Sequence, residues 1–247
     1  MTASLWLLWG PAPKLCETLQ LERSLSDAER RQASSFGSAE RRAQYTVGRA
    51  VLRQLLSQAL HLPANEIELH VEASGRPRLH PKHGSRVSFS ISHSKDVVCW
   101  ALHPSNSVGV DVEHQRRSGD ISALAARFFH PRERDYVASA PDAFEAKCRF
   151  LLCWTLKEAW FKAFADSQSL VFADLGFELD VDVGRVSPLQ TAPTPELRLW
   201  STVFIEHLVS VAWQGPPSED LVGWRLDSST LEAIPLDVKP VVQFPTR

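Results

Sequence analysis

The stretch "SNSVGVDVEH", residues 105–114, alternates valines with acidic side chains and decides how the rest of the chain is interpreted. Its three valines predict a buried strand, because residues two apart in a strand point to the same face. Asp111 and Glu113 then share the opposite face, roughly 6–7 Å apart. Two carboxylates this close need water, a cation or a basic partner. The stretch is therefore either an edge strand with one wet face or half of a metal site.

Composition limits the class of protein. The chain has 247 residues, of which 44% are hydrophobic and 23% charged, with a formal net charge of -2. This length allows one large domain or two modest ones, and the charge gives no reason to expect nucleic acid as a partner. No apolar stretch is long enough to span a membrane. The four cysteines form neither a CxxC pair nor a zinc pattern, so we expect reduced thiols and a cytoplasmic protein.

A second informative stretch is "FLLCWTLKEAWFKAFAD", residues 150–166, which predicts a helix. Glu158 and Lys162 are four apart and share one helical face, while Lys157 lies about 100° round the axis from Glu158. Alone, such a pair is ordinarily a solvated ion pair. Taken with the acidic strand, however, the helix supplies a third carboxylate, Glu158, and two cations, Lys157 and Lys162. That set suits magnesium together with a diphosphate ligand.

Four motifs in order resemble those of one enzyme family. They are "GRPRL" (75–79), "FSISHS" (89–94), "VGVDVE" (108–113) and, after a gap of 40 residues, "WTLKEAWFKA" (154–163). Together they resemble the signature of the 4'-phosphopantetheinyl transferases, in particular those of the larger, surfactin-synthetase-activating type. The resemblance covers about 90 residues of the chain.

The resemblance implies an α+β fold made of two similar halves related by a pseudo-two-fold axis, with coenzyme A between them. A long helix followed by a hairpin occurs twice in the sequence, which points independently to a duplicated α+β unit. We place the N-terminal half at 1–106 and the C-terminal half, with the acidic strand and the lysine-rich helix, at 107–247. Since two fused halves make a second subunit unnecessary, we expect a monomer.

The resemblance also implies an activity. Such enzymes move the phosphopantetheine arm of coenzyme A onto a serine of an apo acyl, peptidyl or aryl carrier protein and release 3',5'-ADP. Magnesium is the implied cofactor. Fatty-acid, polyketide and nonribosomal-peptide carriers all remain open as partners, and no membrane or nucleic-acid partner is expected.

Site residues follow from the matched positions. The implied magnesium ligands are Asp111, Glu113 and Glu158. Lys157 and Lys162 match positions near the diphosphate, His93 matches the histidine that approaches the 3'-phosphate, and Arg76 stands where many relatives have lysine. The implied catalytic set is Glu158, Lys162 and Asp111. Glu158 is either a metal ligand or the base that takes the proton from the carrier serine.

Two basic features extend this set. Arg42, Arg49 and Arg53 form a stripe on the first long helix, which is either a solvated face or a phosphate or adenine contact, with Arg49 the preferred residue. Residues 114–135 hold five arginines and three acidic residues, a local charge of +2. Because carrier proteins of this class are usually acidic, that segment could steer their approach, and Phe128 and Phe129 could add an apolar anchor.

Two rival functions remain open at this point. A magnesium-dependent nucleotide pyrophosphohydrolase would need a similar set of carboxylates and lysines. A coenzyme A or nucleotide sensor would keep the pocket without the chemistry, although a sensor has no need of a full catalytic metal set. The sequence contains no GxSxG, HExxH or Cys/His signature, so serine, zinc and cysteine hydrolases find no support.

Overall fold

The computed structural model of the chain describes residues 2–72, 75–164, 172–180, 185–188, 196–216 and 218–237. The fold is mixed α+β and divides into two compact units. The first unit contains Met1–Asn106 with Asp220–Leu236, and the second contains Ser107–Glu219 with Asp237–Arg247. Among the described residues, no helix is both long and apolar enough to cross a bilayer.

The first unit combines a five-stranded sheet with three helices. Its helices are α1 (Ala12–Leu19), α2 (Asp27–Ser34) and α3 (Ala39–Leu60). Of these, α3 packs on the sheet, and α1 and α2 pack on α3. Its strands are β1 (Ser4–Trp9), β2 (Leu69–Val71), β3 (Pro77–Leu79), β4 (Ser88–Ser94), β5 (Val97–His103), β11 (Val222–Leu226) and β12 (Ala233–Leu236). The sheet order is β12-β11-β1-β5-β4, and β2 pairs with β3 in a separate hairpin.

The second unit has a three-stranded sheet and three helices of its own. The helices are α4 (Ile121–Phe128), α5 (Pro131–Ala138) and α6 (Ala143–Phe164). The strands are β6 (Val108–His114), β7 (Phe177–Asp180), β8 (Arg185–Pro188), β9 (Leu197–Phe204) and β10 (His207–Gln214). The sheet order is β6-β10-β9, and β7 pairs with β8. Residues 165 and 166, which the sequence placed at the end of α6, lie outside the described residues.

The two units repeat one topology. Each begins with a strand, continues through two short helices and a 22-residue helix, and ends with two antiparallel hairpins. The final strand of each second hairpin lies between its hairpin partner and the strand that opened the unit: β5 beside β1, and β10 beside β6. The duplicated α+β unit expected from the sequence is therefore present in the fold.

One segment departs from the predicted division of the chain. The predicted division places residues 220–236 in the C-terminal half, but they belong to the first unit. The reason is strand pairing: β11 runs parallel to β1, with Trp6 opposite Trp224 and the two rings stacked at 5.5 Å. The chain thus returns to extend the sheet of the first unit by two strands.

A buried ion pair ties the helices of each unit together. In the first unit, Ser26 and Glu29 form a capping box at the start of α2. The same Glu29 accepts from Arg53 of α3 at 2.7 Å, and Arg53 also donates to the carbonyls of Ala64 and Ile67 just after α3. One side chain therefore fixes a short helix, the long helix and the connection that follows it.

The second unit has the same arrangement at equivalent positions. His130 and Glu133 form the capping box of α5. Glu133 pairs with Lys157 of α6 at 2.9 Å, and Lys157 also donates to the carbonyls of Phe172 and Leu175 after α6. Residues 26, 29 and 53 correspond to 130, 133 and 157, each 104 positions further along the chain. The duplication thus extends to individual buried contacts.

The long helix of the second unit lies unusually close to the first strand of its sheet. A Cβ atom placed on Gly109 of β6 would lie 2.6 Å from the backbone nitrogen of Ala163, and closer still to the carbonyl oxygen of Ala159. Only a residue without a side chain permits this approach of two backbones. Gly109 therefore sets the distance between β6 and α6.

Replacing Gly109 by alanine is expected to lower the free energy of unfolding by about 3 kcal/mol or more. The reason is that the new methyl group would overlap backbone atoms of Ala159 and Ala163, on two successive turns of α6. Urea denaturation of the full chain measures the loss. Gly48→Ala is the matched control: its Cβ would meet only Ile91 Cγ2, at 3.7 Å. Inside α3 this change should be neutral or stabilise by up to about 1 kcal/mol. Equal stability of the two variants would contradict the argument.

Replacing Lys157 by methionine is expected to cost about 3–5 kcal/mol of stability, because it leaves the Glu133 carboxylate buried and unpaired. The double variant Glu133→Gln/Lys157→Met removes both charges and should lose less than the single variant. Arg53→Met should cost about as much as Lys157→Met. A loss below about 1 kcal/mol for Lys157→Met would show that the ion pair does not hold the unit together.

Candidate active site

The acidic strand packs its carboxylate face against α6. Gly109, Asp111 and Glu113 alternate onto one face of β6, and Gly109 contacts the helix backbone. Asp111 is only 6% exposed, and its Oδ1 accepts from Lys162 Nζ at 2.6 Å. The strand is at the edge of its sheet, but the wet-face explanation is wrong, because this face is covered by the helix that carries the lysines.

Glu113 and Glu158 lie on the same pair of elements. Arg117 ion-pairs with Glu113 and places its guanidinium over the Trp154 ring of α6, 4.6 Å from the ring centroid. Glu158 is half-buried on α6, four residues before Lys162. The two distant motifs are therefore brought together, as the sequence predicts for β6 and α6.

The carboxylates do not form a ready-made metal cage in the parts of the chain that are described: these contain no group of three or more His, Cys, Asp or Glu side chains that could hold a metal ion. Asp111 and Glu113 are engaged by Lys162 and Arg117 in this structure. The donor type still suits magnesium, which takes carboxylate oxygens and completes its shell with water and phosphate. The magnesium site remains a prediction.

Lys157 is not placed for the role predicted at the diphosphate. Its side chain is 0% exposed, and its ammonium is used by Glu133 and by the Phe172 and Leu175 carbonyls. Burial lowers the pKa of Lys157, and burial likewise raises the pKa of Glu133. Desolvation thus opposes both charges, and their mutual attraction offsets it. The correction follows from the helix geometry: Lys157 points away round the axis from the face shared by Glu158 and Lys162.

The arginine stripe on α3 divides into three environments. Arg42 is exposed, whereas Arg49 and Arg53 are 9% and 3% exposed, so the stripe is not a solvated face. Arg53 is taken up by Glu29. Arg49 lies over the Tyr45 ring at 5.2 Å and forms no ion pair with a carboxylate of the described residues. A buried guanidinium without such a partner suits an anionic ligand.

The two other predicted phosphate contacts also lie in the first unit. His93 is exposed on β4, opposite Val98 of β5. Arg76 is half-buried just before β3, and its carbonyl accepts from the Glu72 amide at 2.8 Å. Gly75 precedes it with a φ of 84°, a left-handed conformation that glycine adopts without strain. That explains the glycine of the "GRPRL" motif.

Sequence reasoning gave no role at this site to three residues that shape it: Gly109, and Arg117 and Glu133, which it counted only as charges of the basic segment. A signal existed for two of them. Arg117 follows Glu113 by four residues, and Glu133 is the third residue of a helix that begins at a proline, the usual place for a capping-box acid. Gly109 carried no signal, since a glycine inside a strand does not reveal what approaches it.

Comparison with known proteins agrees with this arrangement. The model of the "4'-phosphopantetheinyl transferase superfamily" matches residues 107–212. The model of the "4'-phosphopantetheinyl transferase, N-terminal" matches residues 8–105. The two matches meet close to the boundary between the two units.

The names of curated relatives also contain the term phosphopantetheinyl transferase. The chain is 34% identical over 176 residues to the 4'-phosphopantetheinyl transferase HetI of Nostoc sp., covering 70% of this chain and 72% of the relative. It is 30% identical over 215 residues to a phosphopantetheinyl transferase of Thraustochytrium sp., covering 82% and 75%. It is 27% identical over 185 residues to the human L-aminoadipate-semialdehyde dehydrogenase-phosphopantetheinyl transferase, covering 70% and 60%. The chain therefore belongs to the 4'-phosphopantetheinyl transferase superfamily and is an enzyme of that class.

Proposed function

We propose that this protein transfers the 4'-phosphopantetheine arm of coenzyme A to a serine of apo carrier proteins and releases 3',5'-ADP. One observation carries the proposal: the acidic strand and the lysine-rich helix meet at Gly109, and Lys162 binds Asp111 there. Phosphoryl transfer asks a protein mainly for positioning and for stabilisation of charge. Carboxylates and a lysine held on rigid elements supply both.

Magnesium is the proposed cofactor, held by Asp111, Glu113 and Glu158. When bound, it would stabilise the negative charge that develops on the diphosphate. Lys162 would contribute a further positive charge beside the same phosphates. Glu158 is half-buried rather than enclosed, so it can act as a ligand or accept the serine proton.

For the rest of coenzyme A we propose three contacts in the first unit: Arg49, Arg76 and His93. Arg49 is the best supported of these, because its guanidinium is buried and finds no carboxylate among the described residues. Arginine binds phosphate as a planar fork, so it can also hold a phosphate in a fixed orientation. Lys157 is left out of this set because its ammonium is used internally.

We also propose a subtype within the superfamily. The four motifs resemble the larger, surfactin-synthetase-activating type, but the N-terminal match and the relatives named above favour the type represented by HetI and the human enzyme. We therefore propose that the protein belongs with the latter and serves acyl, peptidyl or aryl carriers as a cytoplasmic monomer.

The basic segment at 114–135 is the proposed docking surface for the carrier. Phe129 is buried and stacks on Phe150 at 5.0 Å, so it belongs to the core. Phe128 is half-buried and has the exposed Arg127 4.9 Å from its ring centroid. Arg127 and Phe128 thus offer a positive charge beside an apolar surface, which suits an acidic carrier.

Asp111→Ala should abolish transfer, because it removes both a proposed ligand and the partner of Lys162. The assay incubates the protein with coenzyme A, magnesium and an apo carrier, and measures the intact mass of the carrier. EDTA should abolish the gain in the wild type. Glu22→Ala, which removes an exposed carboxylate in the first unit, should leave it unchanged.

The same assay separates the rival functions. Cleavage of coenzyme A without a gain in carrier mass would favour the pyrophosphohydrolase, and tight binding of coenzyme A without cleavage would favour the sensor. Substantial magnesium-dependent transfer by Asp111→Ala would overturn the metal assignment.

Rising salt should raise the KM for the carrier more than the KM for coenzyme A, since exposed charges steer the encounter and are screened by salt. Arg127→Glu should raise the carrier KM about tenfold at low salt. Arg30→Glu in the first unit is the control, and it changes the net charge equally at another exposed site. Equal responses of the two variants would rule out a local docking surface.

A further inference from the structure

The ammonium of Lys157 is fixed from several sides. It pairs with Glu133 at 2.9 Å, donates to Phe172 O at 3.0 Å and also donates to Leu175 O. The rings of Phe129 and Phe172 lie 5.7 and 5.5 Å from it. Three acceptors on two other segments of the second unit therefore hold one residue of α6. Such contacts fix the rotation of a helix about its axis as well as its position.

That rotation decides where the next residues point. Glu158 follows Lys157 by about 100° round the helix, and Lys162 lies one turn beyond Glu158. A rotation of about 20° would move a side-chain atom about 6 Å from the axis by about 2 Å. Such a movement would break the 2.6 Å contact between Lys162 and Asp111. The close contact at Gly109 fixes the separation of α6 from β6, whereas Lys157 fixes the rotation of α6 about its own axis.

The first unit contains an equivalent buried ion pair, but its long helix lacks charged residues at the positions of Glu158 and Lys162. Arg53 is the fifteenth residue of α3, as Lys157 is of α6, and it meets an equivalent Glu29 and two carbonyls. The positions that correspond to Glu158 and Lys162 are occupied there by Gln54 and Gln58. The buried pair therefore occurs independently of the acidic and basic residues beside it in the second unit.

We propose that Lys157, together with Glu133, is a positioning residue: it sets the rotation of α6 and so directs Glu158 and Lys162 toward Asp111. Lys157 itself touches neither substrate nor metal. The inference rests on the proposed transfer reaction and adds to it a residue whose effect is indirect.

The experiment compares Lys157→Met, Lys157→Arg and Arg53→Met as full-length proteins. The readouts are kcat and KM for transfer and, separately, the binding of manganese, a stand-in for magnesium, followed by its electron paramagnetic resonance signal. Lys157→Met should lower kcat and weaken manganese binding by about 10- to 100-fold. Lys157→Arg should recover most of both, because Arg53 already binds an equivalent set of acceptors.

Arg53→Met is the matched control. It should lose comparable thermal stability while its affinity for manganese stays at the wild-type value, since the proposed ligands all belong to the second unit. If Lys157→Met does not fold, Glu133→Gln/Lys157→Met takes its place, because it leaves no unpaired buried charge.

Three outcomes decide the matter. Folded Lys157 variants with wild-type kcat and manganese affinity would overturn the inference and leave the proposed function standing. Equal losses of manganese affinity in Arg53→Met and Lys157→Met would reduce Lys157 to a purely structural role, which also overturns it. A wild-type protein that binds coenzyme A but transfers nothing would overturn the proposed function, and manganese binding alone would then test the positioning of Glu158.

Discussion

The second unit depends on the contact between two backbones at Gly109, where α6 lies against β6 with no side chain between them. This contact brings two motifs separated by 40 residues into one place and lets the Lys162 side chain reach Asp111. It also explains why a carboxylate can be buried on this strand: the helix that covers it carries the compensating cation. A larger residue at 109 would push α6 away from the strand, and the charges would separate with it.

In both units, a buried ion pair orients the long helix on its sheet. A long helix packed on a small sheet buries a wide apolar face, and apolar contact is not directional. A cation that must satisfy a carboxylate and two carbonyls is directional, because a small rotation leaves buried polar groups unpaired. Replacing such a pair by apolar residues is often neutral or stabilising, so its recurrence at positions 104 residues apart suggests a structural role in orientation. In the second unit, the residue that follows Lys157 of this pair is Glu158, one of the predicted catalytic carboxylates.

Much of the fold could be predicted from local patterns. The alternating valines predict β6, and the repeated pattern of a long helix followed by a hairpin predicts the hairpins that follow α3 and α6. The position of β11 could not be predicted in this way. Its pairing with β1 joins residues more than 200 positions apart, and nothing in either strand alone specifies that partner.

The sequence by itself indicated the family, through the order of its four motifs, and the two repeated units. It also predicted Asp111, Glu113, Glu158 and Lys162 as site residues, because helical and strand spacing are local properties. Only the tertiary structure decided which of the two neighbouring lysines faces the acidic strand. Lys157 and Lys162 look alike in a sequence, but they lie on different sides of α6. One meets Glu133 in the core and the other meets Asp111, because the packing of α6 on β6 and α5 sets which side of the helix each element receives.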